Sequence, residues 1–487
     1  MNRRLFLQTL SASGLTTFAQ RARKPNFVVI LADDLGYGDL GCYGSPNIRT
    51  PNLDRMAREG IRFTSFYAQP VCGPSRSALL TGCYPPRNSL SFNHLPGFET
   101  GIHPAEITLP EVLHLEGYTS MMIGKWHLGD HPKFLPLRHG FDRFFGLPYS
   151  NDMWRFHPRM PLGANPHPRL LAARQRAELT GYAGQGSEFS PSGGFPQPLP
   201  LYEDDKVIET DSDQTTFTSR FTAKALEFIS ANQSRPFFLY LAHVMPHVPL
   251  FAGQRFSGTS RRGRYGDTVE ELDWSVGEIL ARIQKLGIAN DTLVLFASDN
   301  GPWLQYGIDG GSAGPLRNGK GTHWEGGIRV PAIFRWPGKI PASQVTSEMA
   351  CTMDLLPTLA KLAGAKSPAD RVIDGKDIWP LLSGQPGAKT PHDAFFYFGA
   401  DLFGEPGSKG PTPGYEIPKL QAVRSGDWKL HVDEKTLRPT ALYDLSSDVG
   451  ESKDLLVRHA EIGERLHKQA AEFVAALKRN IRPLGRI

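Results

Sequence analysis

The sequence predicts an α/β protein: a large mixed, mostly parallel sheet sandwiched by helices, with a smaller C-terminal antiparallel-sheet domain. Three observations predict it. Short apolar runs end abruptly in polar, reactive residues: Phe27 to Leu31 before Asp33-Asp34, Tyr118 to Ile123 before Lys125 and His127, Phe237 to Leu241 before His243, and Leu293 to Phe296 before Asp299-Asn300. Continuous apolar runs of this length suit strands buried on both faces, although buried helix also fits them. Helical patterns lie between them, at Pro51 to Glu59, Leu109 to Glu116, Phe217 to Ser230 and Thr268 to Leu286, and this alternation argues for a parallel or mixed sheet with helices on both faces. Beyond residue 378 the pattern changes.

There, Phe395 to Gly399, Gln421 to Arg424, Trp428 to Val432 and Ala441 to Leu445 read as short strands, with Ser425-Gly426-Asp427 as a tight turn. From Leu455 to Lys478, the spacing of Ile462, Leu466, Ala470, Phe473 and Leu477 predicts one amphipathic helix. The expected organisation is an export signal over 1–22, a catalytic domain over 23–377 and a smaller α+β domain over 378–487. The stretches 155–200 and 400–418, dense in Pro and Gly, are expected to be long surface loops.

At 487 residues, with 40% hydrophobic and 21% charged side chains, the chain has the composition of a soluble globular protein. No run of eighteen apolar residues supports a membrane span in the mature chain. The formal charge of +5 is compatible with an anionic substrate, and no basic run interleaved with aromatics argues for nucleic acid. Arg3-Arg4 followed by Leu5-Phe6-Leu7 and a Ser/Thr/Gly-containing run reads as a twin-arginine export signal, placing the mature protein in the periplasm or outside the cell. Asn2 departs from the residue usual before that pair. The four cysteines, Cys42, Cys72, Cys83 and Cys351, show no CxxC spacing, so neither a thiolate zinc site nor a disulfide scaffold is expected.

In open α/β sheets the ligand crevice lies beyond the carboxyl ends of the strands, so the polar groups ending these runs are expected to converge. Adjacent Asp33 and Asp34 repel unless solvated or bridged by a cation, and oxygen ligands favour a hard ion such as Ca²⁺ or Mg²⁺. Asp299 and Asn300 offer more oxygen ligands. Pro74 suits the first turn of a helix running through Leu80, which puts Cys72 just outside a helix N-terminus, where an anion is favoured.

The run Cys72-Gly73-Pro74-Ser75-Arg76, continued through Thr81-Gly82, resembles the maturation motif of the formylglycine-dependent sulfatases, a family of the alkaline phosphatase superfamily. Gly124-Lys125-Trp126-His127-Leu128-Gly129 is similar to its second signature. Pro246-His247-Val248-Pro249, Arg317 to Thr322 and, more weakly, Pro148-Tyr149-Ser150-Asn151 match further segments, and the similarity extends over residues 25 to 455.

The resemblance implies an alkaline-phosphatase-like fold and hydrolysis of sulfate esters. It implies that a maturase oxidises Cys72 to formylglycine, and that Asp33, Asp34, Asp299, Asn300 and residue 72 hold one Ca²⁺. It places Arg76, Lys125, His127, His247, Lys320 and Ser150 in the catalytic site, with His247 preferred over His243. The resemblance is to arylsulfatase-like and N-acetylgalactosamine-6-sulfatase-like members and implies a sulfated carbohydrate or aryl sulfate as substrate. The export signal and the large variable loop lean towards a sulfated polysaccharide over a small aryl ester. Phosphate or phosphonate esters obey similar charge logic, and an inactive exported glycan-binding protein is a third reading.

Overall fold

The computed structural model describes residues 23–157, 165–179, 195–399, 409–411 and 419–487. The expected export signal lies outside the described residues, as do most of 400–418 and much of 155–200. Within that last stretch the structure has a helix, Pro168–Leu179, where a loop was expected.

The strands in chain order are β1 (Asn26–Ala32), β2 (Ile61–Tyr67), β3 (Thr100–Gly101), β4 (Thr119–Lys125), β5 (Arg143–Leu147), β6 (Pro200–Glu203), β7 (Lys206–Thr210), β8 (Phe237–Ala242) and β9 (Thr292–Ser298). They continue with β10 (Arg329–Arg335), β11 (Gln344–Thr346), β12 (Ala350–Cys351), β13 (Phe395–Phe398), β14 (Leu420–Ser425), β15 (Trp428–Val432), β16 (Pro439–Asp444) and β17 (Gly485–Arg486). The large sheet runs β11-β2-β10-β9-β1-β8-β4-β5-β6-β7, with β12 also on β2.

Its centre, β9-β1-β8-β4-β5, is wholly parallel, with Phe27 facing Leu293 on one side and Phe238 on the other. The apolar runs form these central strands because both faces are covered: every residue of β1, β8 and β9 is buried. Antiparallel β10 and the β6–β7 hairpin complete the mixed sheet.

One group of helices, Pro51–Arg58, Phe217–Ala231 and Gly263–Lys285, packs together, and a second group is Cys72–Thr81, Leu109–His114 and Leu355–Ala363. The first helix starts at a proline, and Asp273 accepts hydrogen bonds from its Asn52 and Leu53 amides, satisfying donors that a helix start leaves free.

Beyond the ladders, the strand-end loops are knitted by backbone bonds. His243 N–H donates to Leu31 O, Asp33 N–H to Met245 O, and Asp299 N–H to Ala32 O, at 2.9–3.1 Å. The loops carrying the reactive residues are therefore held against one another.

The C-terminal sheet, β13-β14-β15-β16, is antiparallel throughout, and the helix Ala460–Lys478 packs on β14 and β15. Its core is shared: Tyr67, Ala78, Tyr84, Ile328 and Met353 of the large unit pack with Phe395, Tyr397, Leu430 and Leu466. β17 returns to pair with β3. Among the described residues no helix is long and apolar enough to cross a membrane, and the four cysteines are free thiols.

Candidate active site

The five parallel central strands each deliver a predicted site residue at their carboxyl ends. β1 leads into Asp33-Asp34, β9 into Asp299-Asn300, β8 into His247, β4 ends at Lys125 before His127, and β5 precedes Ser150. Cys72 and Arg76 come from the helix that follows β2, and Lys320 from the loop before β10. Cys72 is the first residue of its helix, not a residue outside it, and Val71 in extended conformation is the cap. Pro74 is the third residue, within the first turn, where a missing N–H is tolerated because that donor has no partner within the helix.

Cys72 is the meeting point. Its thiol lies 3.3 Å from Asp33 Oδ1 and 3.8 Å from Asp34 Oδ1, and Lys320 Nζ donates to its sulfur at 3.4 Å. Lys320 also pairs with Asp34 at 2.8 Å, and Lys125 with Asp33 at 2.6 Å. Arg76, fully buried, bridges Asp33 Oδ2 at 3.1 Å and Asp299 Oδ2 at 2.8 Å, and donates to the Lys125 carbonyl at 2.5 Å. Asn300 Nδ2 donates to Asp34 Oδ1 at 2.7 Å, and Ser150 Oγ accepts from Lys125 Nζ at 3.1 Å.

His247 Nε2 is 3.5 Å from Asp34, whereas His243 Nε2 bonds Ser275 Oγ at 3.2 Å within the core. Of the two histidines, His247 is therefore the one placed beside the strand-end carboxylates. His127 is buried with both ring nitrogens unpartnered and a left-handed backbone (φ 62°), conditions that cost free energy unless something else repays them.

The charges shape one another. Burial opposes ionisation of Asp33, but Lys125, His247 and Arg76 hold its carboxyl well below the usual range. Burial raises Asp34, with Asp33 adding to the effect against Lys320, and burial with Asp33 raises Asp299 to about 6. Burial and Asp33 push the Cys72 thiol well up, so as a thiol it is a poor nucleophile here. Burial, then Lys125 and Arg76, keep His127 neutral; burial and Lys320 lower His247 to about 3.

Three neighbours escaped the sequence reading. Trp303 stacks its ring beneath Lys320 Nζ at 4.2 Å and meets His247 edge-on at 5.4 Å. Asn93 Oδ1 accepts the Gly73 amide at 2.8 Å, fixing the helix start beside Cys72. His94, next in sequence, is buried with both ring nitrogens unpartnered. The only hint was the position of Trp303 just after Asn300-Gly301-Pro302.

The fold is of the alkaline-phosphatase-like class, and its strand ends gather a buried, charged centre around residue 72. The model of the sulfatase family matches residues 25–365, and that of the N-sulphoglucosamine sulphohydrolase C-terminal region matches residues 319–476. The chain therefore belongs to the sulfatase family and is a sulfuric ester hydrolase.

It is 43% identical to N-acetylgalactosamine-6-sulfatase of Canis lupus familiaris, over 87% of this chain and 74% of that protein. It is 40% identical to arylsulfatase A of Homo sapiens, over 89% and 84%. Among solved structures, Ps i-CgsB in complex with k-i-k-neocarrahexaose superposes with a TM-score of 0.75 at 28% identity, covering 93% of each chain.

Proposed function

We infer that this sulfatase acts on sulfated carbohydrate, using formylglycine made from Cys72 and a calcium ion held by Asp33, Asp34, Asp299, Asn300 and residue 72. The observation that carries the reading is the convergence of Cys72, three buried carboxylates and Lys320 at one point. The donor set suits a hard cation: ligand atoms of Asp33, Asp34, Cys72 and His247 lie within 4.8 Å of one another, Asp299 is tied to them through Arg76 and the Asp34 amide, and Asn300 Oδ1 is buried with no partner of its own. Arg76, Lys125 and Lys320 balance the three carboxylates, so a divalent ion leaves the centre net positive, as an anionic ester requires.

Held by Asp33, Asp34, Asp299 and Asn300, the ion would supply Lewis-acid polarisation of the ester, and the matured residue 72, as its hydrate, would supply the attacking hydroxyl and a second hydroxyl from which sulfate could be released. The remaining work falls to the chain's own residues. Lys125 and Lys320 meet charge developing on the sulfuryl oxygens, and Ser150 orients Lys125. Arg76 fixes Asp33, Asp299 and the Lys125 carbonyl in one frame. The leaving alkoxide takes its proton from Lys320, beside which neutral His247 lies against Asp34, and neutral His127 is the base for release of sulfate.

Kinship with N-acetylgalactosamine-6-sulfatase and the likeness to a carrahexaose-bound structure support a carbohydrate substrate. Maturation by a formylglycine-generating enzyme, export through residues 1–22, a catalytic unit of 23–377 and a smaller unit of 378–487 complete the proposal. Matured protein is to be assayed on a panel of defined sulfated saccharides, an aryl sulfate and the phosphate counterpart of each. Turnover of a sulfated saccharide above the aryl sulfate, with little on phosphates, is expected; preference for the aryl ester overturns the carbohydrate assignment.

A further inference from the structure

We propose that Lys429 and Glu451, on the C-terminal side of the molecule, are positioning residues for Lys320: the small sheet sets the catalytic rate by holding the loop that presents this lysine. The inference rests on the role given to Lys320 above.

The loop from Arg317 to Glu325 carries Lys320 near its middle, and its ends are bound to one residue. Arg317 Nη1 donates to the Glu451 carbonyl at 2.7 Å, and the Glu325 amide donates to Glu451 Oε2 at 2.7 Å. Glu451 Oε1 accepts from Lys429 Nζ at 2.8 Å and from His431 Nε2 at 2.9 Å. Lys429, on β15, has two further acceptors, the His323 carbonyl at 2.8 Å and Glu325 Oε1 at 3.0 Å, so each of its three N–H donors is used on this loop or on Glu451. His323 Nε2 meets His431 Nδ1 at 3.0 Å, and the Arg317 guanidinium stacks 3.7 Å above Trp324.

On its other side the loop touches the catalytic centre. The Lys320 amide donates to Pro302 O at 2.9 Å and the Gly321 amide to Pro70 O at 2.8 Å, two residues before Cys72. Glu325 also accepts from Tyr67 Oη at 2.7 Å and Tyr397 Oη at 2.8 Å. Lys429, Glu325 and Glu451 side chains are 0% exposed, and Glu451 has a left-handed backbone (φ 50°), a conformation a non-glycine residue keeps only when its surroundings impose it. A loop of nine residues with a flexible lysine at its centre loses rate steeply if the ammonium drifts by an ångström. Anchoring it from a separate sheet removes that freedom.

The test is a double-mutant cycle on matured, full-length enzyme with 4-nitrophenyl sulfate as probe: Lys320→Met, Lys429→Met and both together. Lys429→Met is expected to lower kcat about tenfold with KM nearly unchanged, and to cost less than about twofold further once Lys320 is already gone. Arg317→Ala, at an exposed position that leaves the buried pairs intact, repeats the cycle with a loss of about threefold in kcat that vanishes in the Lys320→Met background. It decides the matter if Lys429→Met does not fold.

Equal losses in both backgrounds, or none in either, overturn the inference while leaving the role of Lys320 intact. A Lys320→Met enzyme as fast as its parent instead overturns that role, and the inference with it.

Discussion

The molecule buries two clusters of charge, and they are finished differently. Beside the C-terminal sheet, Lys429, Glu325 and Glu451 satisfy one another and are further bonded by Tyr67, Tyr397 and His431, leaving none of their side-chain atoms unpartnered. At the carboxyl ends of the large sheet the charges are more numerous, yet Asn300 Oδ1, Arg76 Nε and both nitrogens of His127 are buried without a partner. Each such atom costs about 1–3 kcal/mol if left so. The completed network holds the chain in place, whereas the incomplete one, on the function proposed above, takes its missing partners from the metal ion and the matured residue 72.

The comparison breaks most sharply at Cys72. Cys72→Ala is expected to reduce turnover on the order of 10⁴-fold or more, with a thermal midpoint close to the parent's. An active Cys72→Ala enzyme removes the reason for treating the incomplete cluster as catalytic.

The next effect belongs to the completed network and is one of stability. Glu325→Gln removes one partner of a buried pair and is expected to cost about 3–5 kcal/mol in denaturant unfolding at pH 7. Burial opposes its charge, but Lys429 and Arg329 hold the Glu325 carboxyl below its ordinary value of 4.5. A carboxyl depressed in the folded state stabilises above its unfolded value and loses that contribution as pH falls below it. The parent's stability is therefore expected to fall more steeply than the variant's below about pH 4.5, and parallel acid limbs contradict the ionised network.

Smaller effects sharpen the other side. Asn300→Ala is expected to lower calcium affinity or activity by about 10–100-fold, and a chelator-treated parent is to regain activity with Ca²⁺. Calcium at a hundred times its dissociation constant is expected to add about 2.7 kcal/mol to unfolding of the parent, read by calorimetry. No gain in either property contradicts the metal assignment. Ser150→Ala removes one hydrogen bond to Lys125 and is expected to cost about 1 kcal/mol, a fall of about fivefold in kcat.

The two clusters also differed in how far the sequence revealed them. Asp33, His247 and Asp299 follow uninterrupted apolar runs and Lys125 a run broken only by Thr119 and Ser120, so β1, β4, β8 and β9 and their reactive ends were legible. Strand β5, which opens on the exposed Arg143 and is only five residues long, was not. Strand β10 was not: Arg329 and Arg335 bracket it, and Pro331 sits where its register with β2 shifts, breaking the pattern of a buried run. Strand β2 alternates with Arg62 and Thr64, and all of β7 is exposed, so neither reads as core. Trp303 and Asn93 act through packing around Lys320 and Gly73 that no local spacing encodes. Lys429 and Glu325 lie 104 residues apart, and a buried pair of that kind exists only once the two sheets meet.

The most direct measurement is the mass of the peptide containing residue 72, taken from protein co-expressed with a formylglycine-generating maturase and shown to release sulfate. The account predicts a peptide lighter than the cysteine form by roughly 18 Da, in proportion to activity. Full activity with an unaltered thiol at that position contradicts it.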